Sequence, residues 1–351
     1  MVVHEDEPFN AETARGALAE ASVTPTAAFF ARNHAPIPVI YATAWRLRVE
    51  GLVGVPLTFT LDELRGRFAE REVVATLQCA GNRRKDLLEV RDIPGELPWG
   101  PGATGTASWR GVALNDVLRA ARPHDEAEYV AFVGCDVSDE TRLPAGYGGS
   151  ISRRKAERPE VLLAWEMNGE PLPAVHGGPL RVVVPGFIGA RSVKWLERIE
   201  LRDEPWDGFF QSTAYRLLTP EASPSPGAGV PLGEVALNSD ILVPDDGAHV
   251  AAGAVEVRGY AFAGGERRVA RVDVSTDEGA TWTQAALLED HGRWAWRLWK
   301  AELELDPGPH EIVVRAWDSA AASQPERPGP LWNPKGYVNN AWGRVRVVAG
   351  G

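Results

Sequence analysis

Val73-Val74-Ala75-Thr76-Leu77-Gln78-Cys79-Ala80-Gly81-Asn82-Arg83-Arg84-Lys85 reads as a buried strand that breaks into a cationic turn. The apolar run at its start has the length and β-branching of a strand, and Ala80-Gly81-Asn82 is small and turn-favouring. Cys79, one of only two cysteines in the chain, stands where strand becomes loop. A lone cysteine is commonly a small packing residue. A packing cysteine, however, has no use for a guanidinium pair and a lysine just beyond it. Positive charge beside a thiol favours the thiolate, the form that binds metal.

Other segments extend this reading in chain order. They are Phe29-Phe30-Ala31-Arg32-Asn33-His34, Ala164-Trp165-Glu166-Met167-Asn168-Gly169-Glu170-Pro171, His176-Gly177-Gly178-Pro179-Leu180-Arg181 and Gly189-Ala190-Arg191-Ser192-Val193-Lys194-Trp195. Near the C-terminus come Trp332-Asn333-Pro334-Lys335-Gly336 and Asn339-Asn340-Ala341-Trp342. Together with Leu77–Arg84 these resemble the sulfite oxidase family of molybdenum enzymes, over residues 25–348. Several motifs in fixed order are far more specific than any one alone.

The 351 residues are 44% hydrophobic and 24% charged, as in a globular protein with room for two cores. A net charge of -11 excludes general nucleic-acid binding, which needs basic stripes. No apolar run is long enough for a membrane span. Met1-Val2-Val3-His4-Glu5-Asp6-Glu7 is acidic with no apolar stretch behind it, so no secretory signal is read. A cytoplasmic address is expected, or a periplasmic one if a leader has been removed. Cys79 and Cys135 make no disulfide framework.

The fold class expected is α+β. Residues 1–24 read as a polar extension, poorly ordered or draped on the surface. Residues 25–219 mix strands with short helices, and no Gly-x-Gly-x-x-Gly unit appears. Thr60 and Glu63 form a capping box for a short helix with Leu64 and Phe68 on its apolar side. Asn115 is expected to cap a second helix over 116–122. Residues 220–229, rich in Pro, Ser and Gly, read as a linker. From 230 to 351 the pattern alternates every two residues, as in Val255 and Val257, Val272 and Val274, and Ile312 and Val314. Asp277-Glu278-Gly279 supplies a hairpin turn, and an immunoglobulin-like sandwich is expected. Trp294 and Trp296 face opposite to Trp299. One small core cannot bury both faces, so an exposed aromatic surface and a homodimer through this domain are expected.

The resemblance implies a mixed molybdopterin-binding domain ahead of the sandwich, with one molybdenum-molybdopterin per chain and neither haem nor flavin. It implies Cys79 as metal ligand, a soft donor suited to such a centre, and gives Cys135 no such part. Phe30, Ala31, Arg32, Asn33 and His34 would contact the cofactor. So would Asp136, His176, Ser192 and Val193, with Arg181 and Lys194 on its phosphate. The Gly177-Gly178 turn would let the pterin approach the backbone. Arg32, Arg84 and Lys335 would converge on the oxyanion, Trp99 would line its pocket, and the Tyr215 hydroxyl would face the metal. Arg83 and Lys85 would hold acidic groups or the loop itself. Lys335 stands where animal and plant members carry arginine, which keeps charge but loses the planar fork.

The function implied is oxidation of sulfite to sulfate, with electrons leaving to an external acceptor such as cytochrome c or oxygen. Reduction of nitrate or of a sulfoxide on the same cofactor is the alternative. A non-enzymatic binding module built on the sandwich would leave the cofactor motifs of residues 29–194 unexplained.

Overall fold

The computed structural model describes residues 1–137 and 146–350. Among these, the first half of the chain builds two five-stranded sheets. In one, Glu70–Gln78 pairs antiparallel with Thr104–Ala113, which pairs with Leu162–Met167. Arg181–Val183 joins the same strand from its other side. In the other sheet, Leu196–Arg202 lies between Leu47–Gly51, to which it is parallel, and Tyr129–Val137. Glu70–Gln78 ends in Ala75, Thr76, Leu77 and Gln78, all buried, so the next residue, Cys79, emerges at the inner end of a core strand.

The helices are short. Leu61–Arg67 has its capping box: the Thr60 hydroxyl accepts from the Glu63 N–H at 3.1 Å, and the Glu63 carboxylate accepts from the Thr60 N–H at 2.7 Å. The second helix differs from expectation. It runs Leu114–Ala121 with Ala113 at its cap, so Asn115 lies inside it. No side-chain cap is needed, because the Leu114 N–H donates to the Val161 carbonyl at 2.8 Å.

The C-terminal strands form two facing sheets. Gly253–Phe262 and Arg297–Leu305 centre one, Val269–Ser275 and Gly308–Asp318 the other. Two-residue alternation places Val257, Val272, Val274, Ile312, Val314 and Trp299 between them, all fully buried. Glu278 and Gly279 have φ of 57° and 88°, the left-handed pair a tight hairpin needs.

Three expectations are corrected here. The N-terminal segment is docked, not loose: Val2–Glu5 pairs with Asn10–Glu12, and Asn10, Thr13, Leu18 and Thr24 are buried. Its backbone finds partners in the body, as where the Thr24 N–H donates to the Thr106 carbonyl at 2.8 Å. Residues 219–229 are no free linker either. They close a hairpin between Arg216–Leu217 and Val230–Pro231, and the Arg216 guanidinium gathers the Gly227 and Gly229 carbonyls at 3.0 and 2.8 Å. Finally, the tryptophans leave no exposed aromatic face. Trp299 fills the sandwich core, while Trp296 is buried against the first half of the same chain. It stacks on Tyr260 at 5.5 Å, and its indole N–H donates to the Ser22 carbonyl at 2.8 Å. Trp294 is partly covered and lies under the Lys155 ammonium. The second aromatic face is used within the chain, at the seam between its two halves.

Candidate active site

A cleft opens beside Cys79. Its walls carry Phe30, Ala31, Arg32, Asn33 and His34 from the first motif and Cys79 and Ala80 from the second. Asp136, His176, Arg181, Ser192, Val193, Lys194 and Tyr215, also singled out by sequence reading, share these walls. The Cys79 turn is pinned on several sides. The Cys79 N–H donates to Ala103, the Arg83 N–H to Gly100 and the Lys85 N–H to Trp99, at 2.8–2.9 Å. The Gly81 N–H points at Sγ at 3.4 Å. A side chain on Gly81 would sit 2.6 Å from the Arg84 guanidinium, so glycine is what lets Arg84 fold back over the turn.

The thiol itself differs from expectation. Burial is the largest influence and pushes its pKa up, against the pull of Arg84, the Gly81 N–H and Arg32; Glu96 adds to the rise. Ligation by a metal cation is what would hold this sulfur as thiolate. Cys135 stands apart. It does not line the cleft, and burial with Asp136 nearby pushes its thiol to about 11.

Arg32 stands at 3.1 Å from Nδ1 of His34, and Nε2 of His34 lies 2.7 Å from the Tyr215 hydroxyl. An imidazole that accepts from a guanidinium at Nδ1 carries its proton on Nε2. His34 therefore donates to the Tyr215 oxygen, and the phenol retains its own proton as a donor. Tyr215 also stacks on Tyr337, with ring centroids 5.5 Å apart.

At the other end of the cleft the charges are buried together. The Lys194 ammonium contacts the Asn33 amide oxygen and the Val175 carbonyl. Arg181 donates to the His176 and Ser192 carbonyls, each at 2.8 Å, with its plane over Trp109. Burial draws Arg181 down to about 9 and Lys194 well below its usual value, where Arg181 and Arg32 add to the effect. His176 falls to about 4 by burial and is neutral. Asp136 rises to about 6 by burial, opposed by Lys194, and its Oδ1 has no hydrogen-bond partner among the described residues. Glycine at 177 also makes room for Lys194: a Cβ there would meet the Lys194 Cβ at 2.8 Å.

Arg84, Lys335 and Trp99 are placed differently from the open anion pocket expected. None lines the cleft among its described walls. The Arg84 guanidinium is 3.1 Å from Glu96 and donates to the Leu97 and Lys335 carbonyls. Lys335 pairs with the other oxygen of Glu96. Trp99 is buried under the His4 ring, 4.8 Å away. The reason is physical: a nearly buried carboxylate between two cations satisfies both, so neither is turned outward. Sequence reading missed Glu96 and Tyr337. Tyr337 was within reach, two positions beyond Lys335, whereas nothing in Pro94-Gly95-Glu96-Leu97 signals a partner so distant in the chain.

Residues 34–210 match the family described as oxidoreductase molybdopterin binding domain, and residues 231–349 the Mo-co oxidoreductase dimerisation domain. The chain is 43% identical over 359 residues to sulfite oxidase of Gallus gallus, covering 97% of this chain and 76% of that protein. This chain belongs to the sulfite oxidase family. Sulfite oxidase of Arabidopsis thaliana is 38% identical over 375 residues, spanning 100% of this chain and 94% of its own. The sulfane dehydrogenase SoxCD from Paracoccus pantotrophus shares the fold with a TM-score of 0.82 at 26% identity, over 96% of this chain and 84% of that one.

The cleft fits the cofactor of the sulfite oxidase family. Among the described residues no group of three or more His, Cys, Asp or Glu gathers to hold a metal ion. Cys79 then offers a single soft ligand, and a dithiolene would supply others. Among the described residues, Arg32, Arg181 and Lys194 share the cleft with one carboxylate, Asp136. An anionic phosphate offsets that surplus of buried positive charge, and the unpartnered Asp136 Oδ1 can accept from a pterin N–H. The sandwich is the family's dimerisation domain, and the enzyme is a molybdenum-dependent oxidoreductase.

Proposed function

We infer that this chain, as a homodimer, oxidises sulfite to sulfate and passes electrons to a separate acceptor. The overall change is sulfite plus water to sulfate, two protons and two electrons. The observation that carries the reading is the Cys79 thiol on a cleft wall shared with Arg32 and Tyr215. The molybdenum centre, when bound, supplies the transferred oxygen and takes up the electron pair.

The chain's own residues do the rest. Arg32, held by His34 and the Asn33 carbonyl, offers a fixed charge to an oxyanion. Tyr215, oriented by His34 and Tyr337, donates where negative charge collects on oxygen. Arg181, Lys194, His176 and Asp136 hold the cofactor, with Phe30, Ala31, Asn33, Ser192 and Val193 shaping its bed. The two matched domains are neither haem nor flavin modules. On this reading the cofactor complement is molybdenum-molybdopterin alone, and the acceptor is cytochrome c, oxygen or another carrier.

Metal analysis with steady-state assay tests this. Molybdenum near one per chain and sulfite turnover with ferricyanide, cytochrome c or oxygen are expected. Molybdenum-loaded protein that ignores sulfite, or reduces nitrate faster, overturns the reading.

A further inference from the structure

We propose that Glu96 is an internal counter-anion that competes with the oxyanion substrate for Arg84 and Lys335, and so sets how tightly this enzyme binds sulfite and sulfate. The inference rests on the functional reading above and deepens it at the same site.

The geometry is that of a stand-in. One Glu96 oxygen lies 3.1 Å from the Arg84 guanidinium, and the other contacts the Lys335 ammonium. Two oxygens of one anion on two cations is the arrangement a sulfite or sulfate dianion would itself need there. The side chains are shielded, at 13% exposure for Glu96, 3% for Arg84 and 22% for Lys335, so the triad is weakly screened.

The triad stands behind the Tyr215 wall of the cleft, with Tyr337 between. Arg84 lies over the Tyr337 ring, 5.3 Å from its centroid, and Tyr337 stacks on Tyr215, a cleft wall. The three side chains come from three places: the Cys79 turn, the loop before Trp99 and the Trp332–Gly336 segment. Nothing else pairs Lys335 with a carboxylate among the described residues. An anion entering beside Cys79 therefore meets Arg84 and Lys335 already neutralised, and it must displace the carboxylate or bind against its charge. A lysine at 335 suits that exchange, because a single flexible ammonium swings between two anions more readily than a planar fork.

The test is Glu96→Gln in the molybdenum-loaded dimer. KM for sulfite should fall, and calorimetric Kd for sulfate should fall with it, each about three- to tenfold, the size of one like charge removed from a partly screened site. The value of kcat should stay within about twofold, since the substituted group binds and does not react. Glu96→Asp, whose shorter carboxylate spans only one of the two cations, should move both constants part of the way. It also decides the matter if the glutamine variant does not fold. Unchanged or weaker sulfate binding in a folded variant overturns the proposal and makes Glu96 a strut that orients Arg84. If the parent enzyme does not oxidise sulfite, the functional reading fails instead, and the sulfate titration shows that separately.

Discussion

Arg83 is buried against Asp240, its guanidinium 3.7 Å from a carboxylate that belongs to the other half of the chain. The same side chain donates to the Ser239 and Ala341 carbonyls at 3.0 and 2.7 Å and pairs with Asp86 at 2.8 Å. The turn that carries Cys79 is thereby bolted to the sandwich. Arg83 is itself in the left-handed region at φ 61°, a conformation the surrounding contacts hold in place. Dimerisation domain and Cys79 turn are one mechanical unit.

Arg83→Ala should therefore destabilise strongly. Removing one member of a buried ion-pair network costs about 3–5 kcal/mol: Asp86 and the Ser239 and Ala341 carbonyls lose this donor, and Asp240 keeps only Arg15, at 3.2 Å. Arg198→Ala, which breaks half-exposed pairs with Glu50 and Glu200, should change stability by less than about 1 kcal/mol. Denaturant melts of the two variants side by side give the comparison.

Cys79→Ser should abolish sulfite turnover while the protein still melts cooperatively, since a hydroxyl is a poor ligand for a soft centre. Cys135→Ser should keep both activity and molybdenum content. Metal analysis of each variant beside the assay separates ligand loss from misfolding, and equal losses in both would refute the assignment.

Tyr215→Phe removes the hydroxyl that sits 2.7 Å from His34 and keeps the stack on Tyr337. Loss of one donor aimed at developing negative charge should lower kcat about 100-fold with a smaller change in KM. Steady-state kinetics with sulfite reads this directly. A variant that loses only affinity would place the hydroxyl on substrate binding alone.

Glu12 gives a pH dependence of stability. Burial raises its pKa from 4.5 to about 7, against hydrogen bonds from Gly100 and Gly102. The folded state then binds a proton more tightly than the unfolded chain, so stability is greatest below pH 4.5 and declines as pH rises to about 7. The decline attributable to this group is roughly 3 kcal/mol. Glu12→Gln should be near neutral at pH 4.5 and stabilising at pH 8. Thermal melts across that range check the sign.

Much of the site was legible because its signals are local. Cys79, Arg32, His34, His176 and Lys194 sit in compact motifs, and strand ends and glycine turns bring them to one cleft. The capping box at Thr60 and the hairpin at Glu278-Gly279 were equally readable, since each is decided within a few residues. Where reasoning erred, the deciding partner was remote. Asn115 looked like a cap until the Val161 carbonyl took the first helical N–H. Trp296 looked exposed until Ser22 and Tyr260 covered it.

The sequence by itself determined the two architectures and the family, because periodicity and short motifs are properties of contiguous chain. Only the tertiary structure decided which charges face the cleft. Arg32 and Lys194 line it, whereas Arg84 and Lys335 turn to Glu96. An arginine carries the same charge wherever it stands, and the nearest buried carboxylate sets its direction. That carboxylate lies 239 positions from Lys335 along the chain, a distance across which no local pattern speaks.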